Sequence, residues 1–351
     1  LVPLPNHRTP AYAAAAHFRH GVNAGDYLEA SHPWAPINLT DLEAIQQEGF
    51  DHIRLPVAWH LHLGAAPDYL IDPAFFGQVD AVVTNTLQRG LGVMLDLHNY
   101  DDLDQAPEHP ETVARLLRLW QQVAQHYQGT SGWLAFDLDN EPHARATTAV
   151  MNPIYARLIQ AIREISPRRT LVVEPGEWGG IGELKHLELP MDDNLLVSVH
   201  CYEPFHFTHQ GAGWVGADFQ QKGVLYPGPP ATPLTLDGTL QPKDYVQAWF
   251  QDYNTKPGPA NPSSASAFVD KLHYVRAWSE YYGRPAYLGE FGALASVDPA
   301  SRLRFYSDFR RAAERDNLGW CIWDWKANFR YWDTNKHAAM PGMHAALFGT
   351  P

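Results

Sequence analysis

The sequence is short of cysteine, of positive charge and of long apolar stretches. Its 351 residues include 2 Cys, Cys201 and Cys321, which allow one bridge but exclude a scaffold stapled by several disulfides or a thiolate metal motif. The 26 Lys and Arg residues are outnumbered by 39 Asp and Glu residues, and the net charge is −13. Nucleic acids and anionic membranes bind positive surfaces, so neither is an expected partner. The sequence also lacks the run of about 18 apolar residues that a membrane-spanning helix requires.

The sequence is rich in apolar and aromatic residues instead. Hydrophobic residues make up 45% of the chain, which is enough for a large core, and charged residues make up 19%. The length exceeds that of a minimal barrel but is short for two large domains, so we expect a single catalytic domain over residues 1–351. The 12 Trp residues suit sugar binding, because an indole face stacks on the C–H face of a pyranose ring.

Short apolar runs alternate with amphipathic segments along the chain. The runs predict eight strands, at His20–Ala24, His52–Val57, Gly92–His98, Trp133–Asn140, Thr170–Glu174, Leu195–Tyr202, Pro285–Phe291 and Gly319–Asp324. The segments predict helices, the first with a capping-box pattern at Thr40 and Glu43, at Leu39–Glu48, Asp72–Arg89, Pro110–Tyr127, Asn152–Ser166, Ala265–Tyr282 and Pro299–Arg315. This alternation predicts an α/β fold, a (β/α)8 TIM barrel. A doubly wound open sheet would use fewer strands and a glycine-rich first turn, which this sequence lacks.

One interval, residues 203–262, interrupts the alternation. It is rich in Pro, Gly and aromatic residues and is far longer than an ordinary loop. Because it follows the sixth predicted strand, it is expected on the active-site face of the barrel. A lobe that covers the substrate and a solvated insert both remain open as interpretations.

Two glutamates end apolar runs that are far apart in the sequence. Glu141 follows the fourth predicted strand, and Glu290 lies at the end of the seventh. Catalytic groups of such barrels lie at the carboxyl ends of the strands. Two carboxyl groups across a cleft are the minimum for cleaving a glycosidic bond, since one protonates the leaving oxygen and the other attacks or activates water. The pair therefore predicts a glycosidase.

Several motifs strengthen this prediction by resemblance to a known family. Asn140-Glu141-Pro142 resembles the acid/base signature of glycoside hydrolase family 5, and Gly289-Glu290-Phe291-Gly292 is similar to its nucleophile strand. Four further segments resemble the family's other strand motifs in the right order, at Ile53–Pro56, Leu95–Asn99, Val199–Tyr202 and Ile322–Asp324. The resemblance implies that Glu141 is the acid/base and that Glu290 is the nucleophile of a retaining hydrolase.

The same resemblance implies roles for the residues around the two glutamates. Arg54 and Tyr202 would support the charge of Glu290, and Asn140 would hold the sugar 2-hydroxyl. The remaining substrate-binding residues are expected to hydrogen-bond or stack on sugars: His98, His200, His209, Trp178, Trp214 and Trp323. The buried strand residues Asp96, Asp137 and Asp139 are interpreted as hydrogen-bond anchors. No compact spacing of His and Asp predicts a metal ion, so neither a metal nor another cofactor is expected.

Two loop segments narrow the resemblance. Residues 202–211 and 177–181 are similar to loops of bacterial endoglucanases in this family and favour β-1,4-glucan over mannan. We expect an endo-β-1,4-glucanase; the alternatives are a β-mannanase, a xyloglucanase, an exo-acting β-glucanase or a catalytically silent carbohydrate-binding barrel. A metal-dependent hydrolase or lyase would need ligands or a strand-end lysine that the sequence does not supply.

The expected setting follows from the substrate and from the start of the chain. The sequence begins Leu1-Val2-Pro3, interpreted as a mature start after a removed export signal or as the boundary of an expressed fragment. The expected protein is secreted or periplasmic, a monomer, and a binder of β-linked polysaccharide or oligosaccharide.

Overall fold

Eight parallel strands form a closed barrel in the computed structural model, which describes residues 1–4, 7–30 and 32–349. Neighbouring strands follow chain order, and β8 pairs with β1. The strands are β1 His20–Asn23, β2 His52–Val57, β3 Gly92–Leu97, β4 Leu134–Asp137, β5 Leu171–Val173, β6 Leu195–His200, β7 Ala286–Phe291 and β8 Gly319–Ile322. The predicted (β/α)8 barrel is confirmed, and each strand lies within its predicted segment.

The strands are buried along most of their length and consist mainly of apolar runs, because both of their faces are covered. Every residue of β2, β3, β6 and β7 is buried. Parallel strands with helices outside and packed side chains inside show such continuous apolar runs instead of alternation. One apolar cluster lies in the barrel, formed by Phe18, Met94, Ala135, Val172, Leu196, Tyr287 and Cys321. The interior of the barrel is therefore a packed apolar core.

The predicted helices are all present, with ends within a few residues of the predictions. The α-helices of five or more residues are Pro10–Ala15, Leu39–Gln47, Pro73–Gln88, Asp101–Gln105, Pro110–His126, Thr148–Ile165, Asp244–Thr255, Ser266–Tyr282, Pro299–Arg315 and Met343–Phe348. The predicted capping box at Thr40 and Glu43 is wrong. Asn38 is the N-cap, its side chain accepts from the Asp41 amide, and the Asp41 carboxylate accepts from the Asn38 amide. Asn is as good a cap as Thr, and its position two residues earlier starts the helix.

The chain divides into two compact units. The first comprises Leu1–His200, Val275–Gly289 and Leu318–Ile322, and it contains the barrel strands except the last two residues of β7. The second comprises Cys201–Tyr274, Glu290–Asn317 and Trp323–Pro351. Strand β7 and the helix Ser266–Tyr282 each have residues in both units. Within β7 the boundary between the units falls between Gly289 and Glu290.

The interval 203–262 contains regular structure that the sequence analysis did not predict. It contains the helix Asp244–Thr255 and three short helical turns. Val246, Phe250 and Tyr253 are buried along one face of that helix. Their spacing of four and three residues is the helical signal, which the surrounding Pro and Gly residues concealed.

Neither cysteine is in a disulfide bond; Cys201 and Cys321 are both buried thiols. Among the described helices, none combines the length and the apolar character needed to cross a membrane.

The close packing of β8 on the segment before β1 yields a stability prediction. A Cβ at Gly319 would lie 2.1 Å from the Phe18 carbonyl oxygen, a backbone atom that has little room to move. Gly319→Ala should therefore lower the free energy of unfolding by about 1–3 kcal/mol through overpacking. Denaturant titration measures the change.

Gly77 provides the matched control. It lies inside the helix Pro73–Gln88, where an added Cβ meets nothing within 4 Å in the part of the chain that the structure describes. Gly77→Ala should raise stability by about 0.5–1 kcal/mol through helix propensity. Equal effects of the two substitutions would contradict the packing argument.

Candidate active site

Arg54 lies at the centre of a polar layer near the carboxyl ends of the first strands. The side chain is fully buried on β2, and its guanidinium contacts residues from β1, β3, β4 and the segments after β4 and β5. Its nitrogen-to-oxygen distances are 2.9 Å to Asp137, 2.8 Å to Asn140, 3.1 Å to Asn23, 3.3 Å to Asp96 and 3.3 Å to Glu174. A planar guanidinium with five donors can serve such a set, whereas an ammonium cannot.

This layer explains the orientation of Asn140. The Asn140 side-chain oxygen accepts from Arg54, and its backbone amide donates to the Leu97 carbonyl at 2.9 Å. With the oxygen committed to Arg54, the side-chain NH₂ is the group left to meet a sugar hydroxyl. The predicted role of Asn140 at the 2-hydroxyl is compatible with this arrangement and stays a prediction.

Asp96 and Asp137 are hydrogen-bond anchors, as predicted, and the same role for Asp139 stays a prediction. Asp96 and Asp137 are fully buried and contact Arg54, and Asp96 also bonds the His98 Nδ1 at 2.6 Å. Burial, reinforced by the charges of Asp104 and Asp96, raises the pKa of Asp139 well above its usual range.

Glu174 is the functional residue that the sequence analysis missed. It directly follows β5, is fully buried, and contacts four residues around it. It contacts Arg54, accepts from Ser198 Oγ at 3.0 Å and from the Glu141 amide at 2.9 Å, and lies 3.0 Å from His200 Nε2. Burial would raise the pKa of Glu174, but its interactions with His200 and with the Arg54 charge outweigh burial and hold that pKa below its usual range. The available signal was its position, because it ends an apolar run as Glu141 and Glu290 do.

Glu141 lies four residues after the end of β4, in a strained backbone conformation. Its φ is 52°, in the left-handed region, which costs a non-glycine residue about 1–2 kcal/mol. Three hydrogen bonds hold it: its amide to Glu174, its carbonyl from His143 Nδ1 at 2.8 Å, and its Oε1 to His200 Nδ1 at 2.7 Å. The side chain is 26% exposed, so Glu141 is partly open to solvent. Strain held in this way is typical of functional residues.

Glu290 is placed by a glycine that packs against the same histidine. It is the fifth residue of β7 and is buried. A Cβ on the preceding residue, Gly289, would lie 2.3 Å from Ser198 Oγ and 2.7 Å from His200 Nε2. Only glycine allows β7 this close approach, which gives the Gly-Glu motif its structural reason.

The second unit supplies the partners of Glu290. The Tyr202 hydroxyl donates to Glu290 Oε2 at 2.7 Å, the bond expected from the sequence, and the Cys201 amide donates to the Glu290 carbonyl at 3.0 Å. His209 is buried beneath Tyr202, with 4.8 Å between their rings, and stacks on Phe205 at 4.0 Å. Burial lowers the pKa of His209 to about 3, so it is a neutral packing partner of Tyr202.

The three predicted tryptophans differ in their surroundings. Trp323 follows β8, is half-buried, and donates its amide to the Phe291 carbonyl at 2.9 Å; the Trp323–Asp324 peptide is cis. Trp214 is 60% exposed in the second unit, and its ring lies 6.4 Å from that of Phe329. Trp178 is 53% exposed in the first unit and stacks on His143. All three keep ring surface available, and their binding of sugars stays a prediction.

Comparison with known proteins shows which sequences this chain resembles. The profile of the cellulase family, glycosyl hydrolase family 5, matches residues 21–329. Endoglucanase H of Acetivibrio thermocellus is 25% identical over 87% of this chain and 29% of its own length. Endoglucanase 3 of Fibrobacter succinogenes is 26% identical over 95% of this chain and 53% of its own. The chain thus spans between a quarter and about half of these two relatives.

The fold is also similar to that of a solved structure over nearly the whole chain. Thermotoga maritima Cel5A in complex with cellobiose is 30% identical, with a TM-score of 0.81, covering 96% of this chain and 100% of the other. The same protein in complex with mannotriose gives 29% identity and a TM-score of 0.81.

Fold, site and comparisons agree on the class of protein. The closed parallel barrel has one glutamate after its fourth strand and another in its seventh, which is the arrangement expected for a barrel glycosidase. With its match over residues 21–329, the chain belongs to glycosyl hydrolase family 5, the cellulase family.

The charge of Glu174 yields a pH-dependent prediction. A carboxyl group whose folded-state pKa lies below its unfolded value contributes stability above the unfolded pKa of about 4.5, and loses it as pH falls. Glu174→Gln leaves Arg54 and His200 without this charge and should cost about 3 kcal/mol or more at pH 7. Chemical denaturation of both proteins between pH 3 and 7 should show the difference shrinking below pH 4.5. A difference that does not vary with pH would contradict an ionised Glu174.

Proposed function

We propose that the protein is a retaining endo-β-1,4-glucanase that hydrolyses cellulose-type or mixed-linkage β-glucans by double displacement. Two glutamates, at the ends of β4 and β7, have chemically different surroundings, and this observation carries the proposal. The Glu141 carboxyl group faces a nitrogen of His200, with which it can share a proton. The Glu290 carboxylate accepts a hydrogen bond from the Tyr202 hydroxyl, which favours the charged carboxylate. A glycosidase needs one carboxyl group in each state.

The state of Glu141 follows from Glu174 through His200. The charged Glu174 carboxylate lies 3.0 Å from His200 Nε2 and favours the tautomer that carries its proton there. The other nitrogen, Nδ1, then accepts a hydrogen bond from a protonated Glu141 carboxyl group at 2.7 Å. Glu141 in this form can donate its proton to the glycosidic oxygen as the leaving group departs.

Glu290 takes part in both displacements, and its attack accompanies the proton transfer from Glu141 to the leaving oxygen. Its carboxylate attacks the anomeric carbon and forms a covalent glycosyl-enzyme, while Tyr202 holds the carboxylate in place. Glu141, now deprotonated, takes a proton from water, which attacks the anomeric carbon and releases Glu290. The two displacements together keep the β configuration. The Asn140 amide, oriented by Arg54, is the group proposed for the 2-hydroxyl, a contact that strengthens in the transition state.

The substrate is proposed from the relatives. The first two curated relatives are named endoglucanases, which supports β-1,4-glucan as the main substrate. Cel5A of Thermotoga maritima has been solved with cellobiose and with mannotriose, so a mannan belongs in the substrate panel as a comparison. Cleavage of internal bonds in long chains requires a site that accepts sugars on both sides of the scissile bond.

We also propose that the protein acts outside the cytoplasm, secreted or periplasmic, as a monomer that binds neither nucleic acid nor membranes. A polymeric glucan does not cross a membrane, so its hydrolase has to meet it outside. The net charge of −13 disfavours anionic partners. Fractionation of the producing cells, with size-exclusion chromatography of the isolated protein, checks both statements; a cytoplasmic pool or a stable oligomer would contradict them.

The test of the function is reducing-sugar release from a panel with a nucleophile variant. Wild-type protein should be most active on carboxymethylcellulose or barley mixed-linkage glucan, and weaker on xyloglucan, glucomannan, galactomannan and laminarin. Glu290→Gln removes the attacking carboxylate with little change in shape and should lower kcat by about 10⁴-fold or more. Far-ultraviolet circular dichroism controls for folding.

Two further measurements test separate parts of this proposal, the stereochemistry of the reaction and the cleavage of internal bonds. Proton NMR of the first product should show the β anomer before mutarotation, whereas an initial α anomer would mean an inverting enzyme. A rapid fall in viscosity per reducing end indicates internal cleavage. Full activity of Glu290→Gln would refute the assignment of the nucleophile, and binding of cello-oligosaccharides without any turnover would favour a silent carbohydrate-binding barrel.

A further inference from the structure

His143, which the sequence analysis did not select, connects the acid/base to an exposed aromatic ring. Its Nδ1 donates to the Glu141 carbonyl at 2.8 Å, and its ring stacks on Trp178, with 4.9 Å between the centroids and 17° between the planes. Its own amide donates to Asp104 Oδ1 at 2.9 Å. One side chain therefore holds both the strained catalytic backbone and the indole.

The segment that presents Trp178 is itself strained. Glu177 and Trp178 have φ values of 54° and 57°, two successive left-handed residues, each costing about 1–2 kcal/mol outside glycine. The Trp178 amide donates to the Pro142 carbonyl at 3.2 Å, and the Gly176 amide donates to Thr148 Oγ1 at 2.9 Å. A Cβ on Gly176 would lie 2.7 Å from the Thr148 amide, so this segment has one close-packed position. Strain that the surroundings maintain around a half-exposed indole indicates a binding role.

The side of the cleft follows from the chemistry of Glu141. An acid/base donates its proton to the oxygen of the group that leaves, so it stands beside the leaving sugar. Trp178 is tied to this residue twice, through His143 and through the carbonyl of Pro142, which follows Glu141. The exposed indole is therefore held next to the residue that stands beside the departing sugar.

We propose that His143 is a positioning residue that fixes the Trp178 ring relative to Glu141, and that it thereby favours substrates whose leaving group is a sugar. The role assumes the proposed glucanase function. His143 touches no reacting atom; it acts through the two groups that it holds. A small error in the position of a binding group costs much of the rate.

The test compares one substrate with a sugar leaving group and one without. Cellopentaose needs both the acid and the leaving-group platform, whereas 2,4-dinitrophenyl β-cellobioside has an aryl leaving group that departs without protonation. His143→Ala should lower kcat/KM for cellopentaose about tenfold more than kcat/KM for the aryl glycoside. An equal loss on both substrates, or no loss, would overturn the proposal, since a purely structural role does not distinguish leaving groups.

A double-mutant cycle tests whether the effect passes through Trp178. His143→Ala should cause little further selective loss in a Trp178→Ala background, because the ring that it positions is gone. Independent losses that add would contradict the link. If His143→Ala does not fold, His143→Gln replaces it in the cycle, since it keeps a donor for the Glu141 carbonyl but has no ring to stack.

A nearby histidine supplies the matched control, and the wild type separates the two proposals. His186 is exposed in the same unit, and its carbonyl, not its side chain, receives the Asn152 amide. His186→Ala should leave the ratio between the two substrates unchanged. Wild-type protein inactive on both substrates would reject the glucanase function itself, whereas an active wild type with an unselective His143→Ala rejects only the role of His143.

Discussion

The buried guanidinium of Arg54 is the constraint on which the site depends. A charge removed from water is costly unless its donors are all engaged, and a buried ion pair is stable only with good geometry. Arg54 meets this requirement with oxygens from five side chains, drawn from strands or strand ends that are distant in the sequence. Each of those oxygens is thereby assigned a position. The polar layer above the apolar barrel core is ordered because one cation has to be neutralised inside it.

Glu174 and His200 connect this polar layer to Glu141 and to the residue before Glu290. Glu174 shares its carboxylate between Arg54 and His200, and His200 in turn faces Glu141 at 2.7 Å. The same His200 packs against Gly289, the residue before Glu290. A continuous series of contacts thus leads from a buried cation to Glu141, the proposed acid/base. Preorganised groups of this kind stabilise a transition state without rearranging during the reaction.

Local patterns predicted much of this molecule, and their failures are instructive. Glu141 and Glu290 were visible because each interrupts or ends an apolar run, and Arg54 because it is a charge inside one. Glu174 met the same criterion but stood next to no recognisable motif. The helix Asp244–Thr255 was hidden by the Pro and Gly residues around it, and the capping box at Asn38 by a second pattern two residues later. In both cases two local signals competed, and packing decided between them.

The sequence by itself determined the alternation of strands and helices, the barrel that closes from it, and the positions of Glu141 and Glu290 at strand ends. These are properties of periodicity and polarity over a few residues, which the chain carries locally. Only the tertiary structure decided which partners several polar groups have: Glu174 with His200, and His143 between Glu141 and Trp178. Those choices join residues from separate elements, and their energies depend on burial, which no local pattern contains.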